Sequence, residues 1–293
     1  MLGAFITGLR PRQWTKNLLV FAGLIFSQGL NDPTLVARSV FAFAIFCLLS
    51  GSVYLINDVM DAERDRAHPQ KRFRPVASGR LPAGVALVGA IVLLVGSSGA
   101  ALFVSRPFGA TAVAYAALQI AYSMGLKHVV ILDSLIIAGG FVLRALAGVL
   151  VLGIELSHWL LLCTILLALF LTFGKRRHEL IALEAGAADH RPILSEYSPQ
   201  LLDQMIAVVT ASTLMAYALY TMAPETQAKL GTTRLPLTIP FVLYGIFRYL
   251  YLLYQRRLGG NPSELLLSDR ALLVNTICWI CAVLLIIYGA RLE

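Results

Sequence analysis

Nine runs of predominantly apolar residues, each about 20 long, fill most of this chain and constrain its fold more than any other feature. They cover 14–30, 35–56, 83–104, 108–126, 129–151, 156–174, 200–223, 236–255 and 271–290. Each is long enough to cross a bilayer as a helix. No water is present in the hydrocarbon to pair with backbone amides, so a spanning segment must satisfy them internally. The expected fold is therefore all-α: a polytopic membrane helical bundle of nine transmembrane helices, forming one domain over residues 1–293. A composition 58% hydrophobic and 14% charged, with mean hydropathy +0.76, agrees. The net charge of +8 is no nucleic-acid footprint, because the bases sit in short loops between the apolar runs. The N-terminus is too short ahead of its first run for a cleavable signal peptide. Cys47, Cys163, Cys278 and Cys281 all lie in apolar runs and are expected to pack, not to bind metal.

Charge sets the orientation. With nine spans, 17 bases fall in the loops on the side of the N-terminus and five on the other side. The positive-inside rule then places the N-terminus in the cytoplasm. Trp14 at the edge of the first run reads as an interface anchor. Two bases lie deep within the runs, unlike Lys16 and Arg38 near the ends of theirs. Arg248 suits a snorkelling or structural role, and Arg144 faces either a cavity or a structural partner. Arg144 stands 11 residues from Asp133, about 16 Å along a helix, so those two cannot pair directly.

The stretch Asn57–Arg80, NDVMDAERDRAHPQKRFRPVASGR, is where chemistry concentrates. On a helix Asn57, Asp58, Asp61 and Asp65 fall on one face and Glu63 on the opposite side. Convergent hard oxygen donors suit Mg²⁺, which takes one or two carboxylates plus substrate phosphates. Lys71, Arg72 and Arg74, with Arg64 and Arg66 nearby, can hold phosphate oxygens. The plain alternative is a solvated loop that follows membrane charge rules, in which the acids would have no reason to keep helical spacing.

Other loops on the same side repeat this chemistry. Tyr122 and Lys127 end the fourth run, giving a second candidate loop at 122–128 beside that at 57–82. A third spans 175–199, where Lys175, His178 and Glu179 share a helical face. Bases flanking a span are expected from topology alone, so for Lys175 and Glu179 substrate contact and simple flanking stand equal. His128 and His190 read as loop residues. Arg10 and Lys16, in RPRQWTKN, can reach a phosphate at the bilayer surface or serve as plain anchors.

Asn57-Asp58-x-x-Asp61-x-x-x-Asp65, followed by Lys71-x-x-Arg74-Pro75-x-x-Ser78-Gly79, resembles the first signature of the UbiA superfamily of intramembrane prenyltransferases. RPRQWTKN at 10–17, KRFRPVASG at 71–79 and YSMGLK at 122–127 are similar to its decaprenyl-phosphate phosphoribosyltransferase branch. The resemblance covers essentially the whole chain and implies a bacterial plasma-membrane enzyme with its active site facing the cytoplasm. It implies transfer of a phosphoribosyl group from 5-phosphoribosyl-1-diphosphate to decaprenyl phosphate or a similar polyprenyl phosphate, for cell-wall arabinan synthesis. It implies Mg²⁺ on Asn57, Asp58, Asp61 and Asp65, and substrate at Arg10, Lys16, Lys71, Arg72, Arg74, Tyr122, Lys127, Lys175 and Glu179. One departure counts: GKRRHELIALEAGAADHR at 174–191 lacks the second DxxxD motif of aromatic-acceptor members, which weakens any second metal site. The competing readings are an aromatic prenyltransferase of the same superfamily, a transporter and a structural scaffold. Against transport, the acids cluster at one membrane face and no pair of half-helices is evident.

Overall fold

The structure is a computed structural model that describes residues 1–155, 157–184 and 192–289. Among the described residues it contains helices, 3₁₀ turns and no strand. The long helices are α1 (Pro33–Met60), α2 (Ala83–Val104), α3 (Arg106–Met124), α4 (Leu132–Leu152), α5 (His158–Glu184), α6 (Pro199–Met222), α7 (Ile239–Tyr254) and α8 (Arg270–Gly289). All but α3 are long and apolar enough to cross a membrane, α7 together with the 3₁₀ turn ahead of it. Thr111, Tyr115, Gln119, Tyr122 and Ser123 make α3 the more polar exception. These helices account for eight of the nine expected runs.

The first run folds differently. Pro11–Phe21 is an 11-residue 3₁₀ helix that passes into a short α-helix, Ala22–Phe26. A 3₁₀ helix rises about 2.0 Å per residue against 1.5 Å for an α-helix, so this stretch covers about 22 Å. Runs of this kind longer than three or four residues are uncommon.

The chain divides into two compact units. The first holds Met1–Leu24, Asp32–Lys127 and Leu143–Glu155. Asp32 caps α1 by accepting from the Thr34 and Leu35 amides, with Pro33 in the first turn where its missing N–H costs nothing. α2 buries Ala86, Ala90, Ser97 and Ala101, a stripe of small residues that lets α1 approach closely. Its other faces expose Val88, Val92, Val95 and Phe103, as a lipid-facing helix should. Leu24, Phe46, Leu49, Phe108 and Tyr115 fill one core of this unit, and Leu9, Leu55, Val76 and Leu81 another.

The second unit holds Ile25–Asn31, His128–Val142 and Leu156–Glu293. Ser198 caps α6 through the Leu201 amide. Phe170, Phe173, Tyr197, Leu202, Ile206, Tyr249 and Leu253 form its main core. Arg248, expected to be structural, donates both Nε and Nη2 to Asp269, at 3.2 and 2.7 Å, and so fastens α7 to the start of α8.

Candidate active site

The acid-bearing stretch keeps its helical spacing across a bend. α1 ends at Met60, Asp61 sits between helices at φ −95° and ψ 6°, and Ala62–Ala67 resumes the turn. Backbone bonds from Asp61 N to Asn57 O and from Asp65 N to Asp61 O carry the i, i+4 pattern through. Asp58 and Asp65 therefore turn inward and are almost fully buried, while Glu63 is exposed, as the spacing requires.

The loop that follows is folded back on itself. The Ser78 amide bonds Arg74 O and the Leu81 amide bonds Pro75 O, both at 2.9 Å. Gly79 takes φ +76°, a left-handed conformation that disfavours any residue with a Cβ. Val76, Ala77 and Leu81 are buried beneath it. His68, which the sequence did not single out, accepts from the Gln70 and Lys71 amides through Nδ1 and so shapes the turn that starts at Lys71.

Each inward acid faces a base. Arg74 Nη1 lies 3.2 Å from Asp58 Oδ1 and 2.7 Å from Asp65 Oδ2, so one nitrogen bridges two carboxylates. Arg10 donates to the same Asp58 oxygen, its guanidinium lying 4.8 Å over the Tyr54 ring. Lys127 Nζ is 3.5 Å from Asp61 Oδ1. Within the first unit Arg10, Asp58, Arg74 and Asp65 thus form a linked set of ion pairs, and Lys127 with Asp61 a further pair. Lys16 lies half-buried in the 3₁₀ helix. Burial first, then the Arg144 and Arg10 charges, push its ammonium down to about 8.

Arg72 is exposed and stacks 4.8 Å from the Phe73 ring. Tyr122 is half-buried near the end of α3. Lys71, half-buried, opens the 3₁₀ turn Lys71–Phe73.

Among the described residues no three Asp, Glu, His or Cys side chains are grouped closely enough to hold a metal, and bases pair with Asp58, Asp61 and Asp65. The donor set nevertheless fits a hard divalent cation. Asn57 Oδ1 is buried with no hydrogen-bond partner, which leaves an acceptor available next to Asp58. Asp58 and Asp65 already converge on one positive centre, the Arg74 guanidinium.

The second unit holds a separate buried cluster. Asp133, at the start of α4, accepts from Arg176 Nε at 2.8 Å and from the Tyr197 hydroxyl at 2.9 Å. Asp133 and Arg176 are both buried, and Tyr197 also accepts from the Ile131 amide at 2.7 Å. Ile131 has φ +66°, unusual for a β-branched residue, and this bond holds it there. Desolvation is the main cause that pushes the Tyr197 hydroxyl above its ordinary range, so it stays a donor. Glu179 accepts from Arg176 Nη1 at 2.7 Å and lies 3.7 Å from Lys175 Nζ. Lys175 and Glu179 are therefore neighbours, as their spacing predicts, with Glu179 tied to a buried arginine. Asp189, His190 and Arg191 lie outside the described residues. The signal for this cluster was present in the sequence as a lone aspartate entering an apolar run.

Comparison with known proteins follows the same lines. The model of the UbiA prenyltransferase family matches residues 17–263. A decaprenyl-phosphate phosphoribosyltransferase of Corynebacterium glutamicum is 35% identical over 97% of this chain and 86% of its own length. One of Mycobacterium tuberculosis is 33% identical over 97% of this chain and 94% of its own. Among solved structures, a UbiA homolog from Archaeoglobus fulgidus bound to GPP and Mg²⁺ superposes with TM-score 0.72. It covers 98% of this chain and 99% of its own at 18% identity, a likeness of fold.

Proposed function

This chain belongs to the UbiA prenyltransferase family, and from that premise we propose that it transfers the 5-phosphoribosyl group of 5-phosphoribosyl-1-diphosphate to decaprenyl phosphate or a similar polyprenyl phosphate. Diphosphate leaves and decaprenylphosphoryl-5-phosphoribose forms. The observation that carries the reading is the identity to decaprenyl-phosphate phosphoribosyltransferases over nearly the full length of both chains. The excess of bases at the acid cluster supports it, since donor and acceptor together bring a diphosphate and two phosphates.

The reaction needs little from the protein in proton transfer. A phosphomonoester with a second pKa of about 6 is largely ionised at neutral pH, so the acceptor oxygen is already a nucleophile. It forms the new bond to ribose C1 as the C1–O bond to diphosphate breaks, with inversion at C1. The protein holds the two reactants in line and offers fixed positive charge where negative charge develops. Arg74, Lys71 and Arg72 take the phosphates of the donor. Arg10, Lys16 and Lys127 take the acceptor phosphate or the remote end of the donor, with Tyr122 as a further contact. Asn57, Asp58, Asp61 and Asp65 would hold Mg²⁺, which when bound neutralises the leaving diphosphate. Arg10, Arg74 and Lys127 then exchange carboxylate for phosphate oxygens.

The chain is a multi-pass membrane protein. The surplus of bases on one side supports a site at the cytoplasmic face of a bacterial plasma membrane; reagent reaching engineered cysteines at 66–70 from outside intact cells would reverse that orientation. The reaction is tested with purified protein, donor labelled in the ribose, and polyprenyl phosphate. Label should move into the organic phase with one diphosphate released per transfer, and only when a divalent cation is present. Diphosphate release with the label left in water would make the protein a hydrolase instead.

A further inference from the structure

Arg144 is a buried arginine in the middle of a membrane-spanning helix, a costly placement that asks for a purpose. Its Nε donates to Asn17 Oδ1 at 2.7 Å and its Nη2 to the Tyr115 hydroxyl at 2.6 Å, with the guanidinium 4.7 Å over that ring. Asn17 is fully buried and passes the connection on: its Nδ2 lies 3.2 Å from Ser50 Oγ and 3.3 Å from Cys47 Sγ on α1. One amide thus fastens the 3₁₀ helix to both α1 and α4.

One turn along α4 there is a second point of grip. A Cβ added at Gly148 would lie 1.9 Å from Val20 O, so the backbone of the 3₁₀ helix rests directly on this glycine. Arg144 and Gly148 are four residues apart on an α-helix and share a face. Asn17 and Val20 are three apart on a 3₁₀ helix and are eclipsed. Two matched contacts fix how the run Pro11–Phe21 is wound and rotated. That winding decides where its bases stand. At three residues per turn Lys16 stands about 120° around the helix from Val20, where in an α-helix it would stand about 40° away.

We infer that Arg144 is a positioning residue: through Asn17 it holds Pro11–Phe21 in its 3₁₀ register and so sets Lys16 toward the phosphates of the reaction. The inference rests on the proposed role of that base. In it Arg144 touches neither substrate nor metal.

Steady-state kinetics of the purified full chain test it, varying polyprenyl phosphate and 5-phosphoribosyl-1-diphosphate in turn. Lys16→Gln should raise one substrate's KM by about tenfold or more, the effect of one lost charge-assisted hydrogen bond. Arg144→Gln should raise the same KM by a similar factor with a smaller change in kcat. The double variant should be no worse than its more damaged parent, because a misplaced Lys16 has little left to lose. Arg144→Lys, able to reach one acceptor and not both, should fall between. Should Arg144→Gln fail to fold, Tyr115→Phe keeps the ring, removes one bond to Arg144, and should shift the same KM by a smaller factor. Independent, multiplying effects of Arg144→Gln and Lys16→Gln would overturn the inference, as would a loss confined to kcat. A silent Lys16→Gln in a protein that transfers ribose would overturn it too and leave the proposed reaction intact. Absence of ribosyl transfer by the unaltered protein fails the reaction itself.

Discussion

Replacing Arg74 with glutamine should loosen the phosphoribosyl donor and tighten the divalent cation at the same time. Arg74 Nη1 bridges Asp58 and Asp65 at 3.2 and 2.7 Å, and both acids are almost fully buried. Breaking a fully buried ion pair from one side costs about 3–5 kcal/mol. Arg74 keeps about a quarter of its side chain in contact with solvent, so the smaller figure for a hydrogen bond to a charged group applies, about 1.5–3 kcal/mol. Arg10 still holds Asp58, which leaves Asp65 with most of the deficit. Since about 1.4 kcal/mol is a factor of ten, the KM for 5-phosphoribosyl-1-diphosphate should rise roughly tenfold to a hundredfold. Mg²⁺ binding without donor should move the other way, because the cation no longer competes with a guanidinium for the same oxygens. Isothermal titration with Mg²⁺ in the absence of donor reads the second effect, and steady-state kinetics the first. The variant should melt earlier than the parent, and saturating Mg²⁺ should recover part of the loss. Equal weakening of metal and donor, or an unchanged metal affinity, would refute the exchange of partners on which this prediction depends.

Asp58→Asn, Asp61→Asn and Asp65→Asn should each lower turnover by about a hundredfold or more, while Glu63→Gln, on the exposed side, should be mild; equal damage from all four would point to bulk charge instead. The ammonium of Lys16, held down to about 8, is charged below that pH and neutral above it, so kcat/KM should fall as pH rises through 8. Lys16→Arg, which stays charged, should remove that limb, and a limb that persists would assign it to another group. Asp133→Asn breaks the buried pair with Arg176, which still keeps Glu179, so thermal unfolding should report a loss near the lower end of about 3–5 kcal/mol. An unchanged melting temperature would show that the pair is not structural.

The helices and the acid face were legible from periodicity. Twenty-residue hydropathy marks a span whatever packs on it, and the i, i+3 and i+4 spacing of Asp58, Asp61 and Asp65 forces them to one side of any helix. The bend at Asp61 leaves that spacing intact, which is why the inward and outward acids fall where the pattern places them. The pairings were not legible. Arg10 meets Asp58 across 48 residues and Lys127 meets Asp61 across 66, and nothing in either segment's local pattern encodes its partner. The 3₁₀ winding of Pro11–Phe21 was equally hidden, since it is imposed by contacts at Arg144 and Gly148 far along the chain. Its trace in the sequence was a polar Lys16-Asn17 pair inside an apolar run. Asp133, Arg176 and Tyr197 left a similar trace: polar residues at the edges of spans, brought together only by the fold.

One parallel measurement identifies the transferred group. Purified protein receives 5-phosphoribosyl-1-diphosphate with polyprenyl phosphate in one reaction, and a prenyl diphosphate with an aromatic acid in the other, both with Mg²⁺. Mass spectrometry of the lipid products should find polyprenylphosphoryl-5-phosphoribose in the first and no prenylated aromatic in the second. A prenylated aromatic acid, with the ribosyl donor left untouched, would make the protein an aromatic prenyltransferase instead.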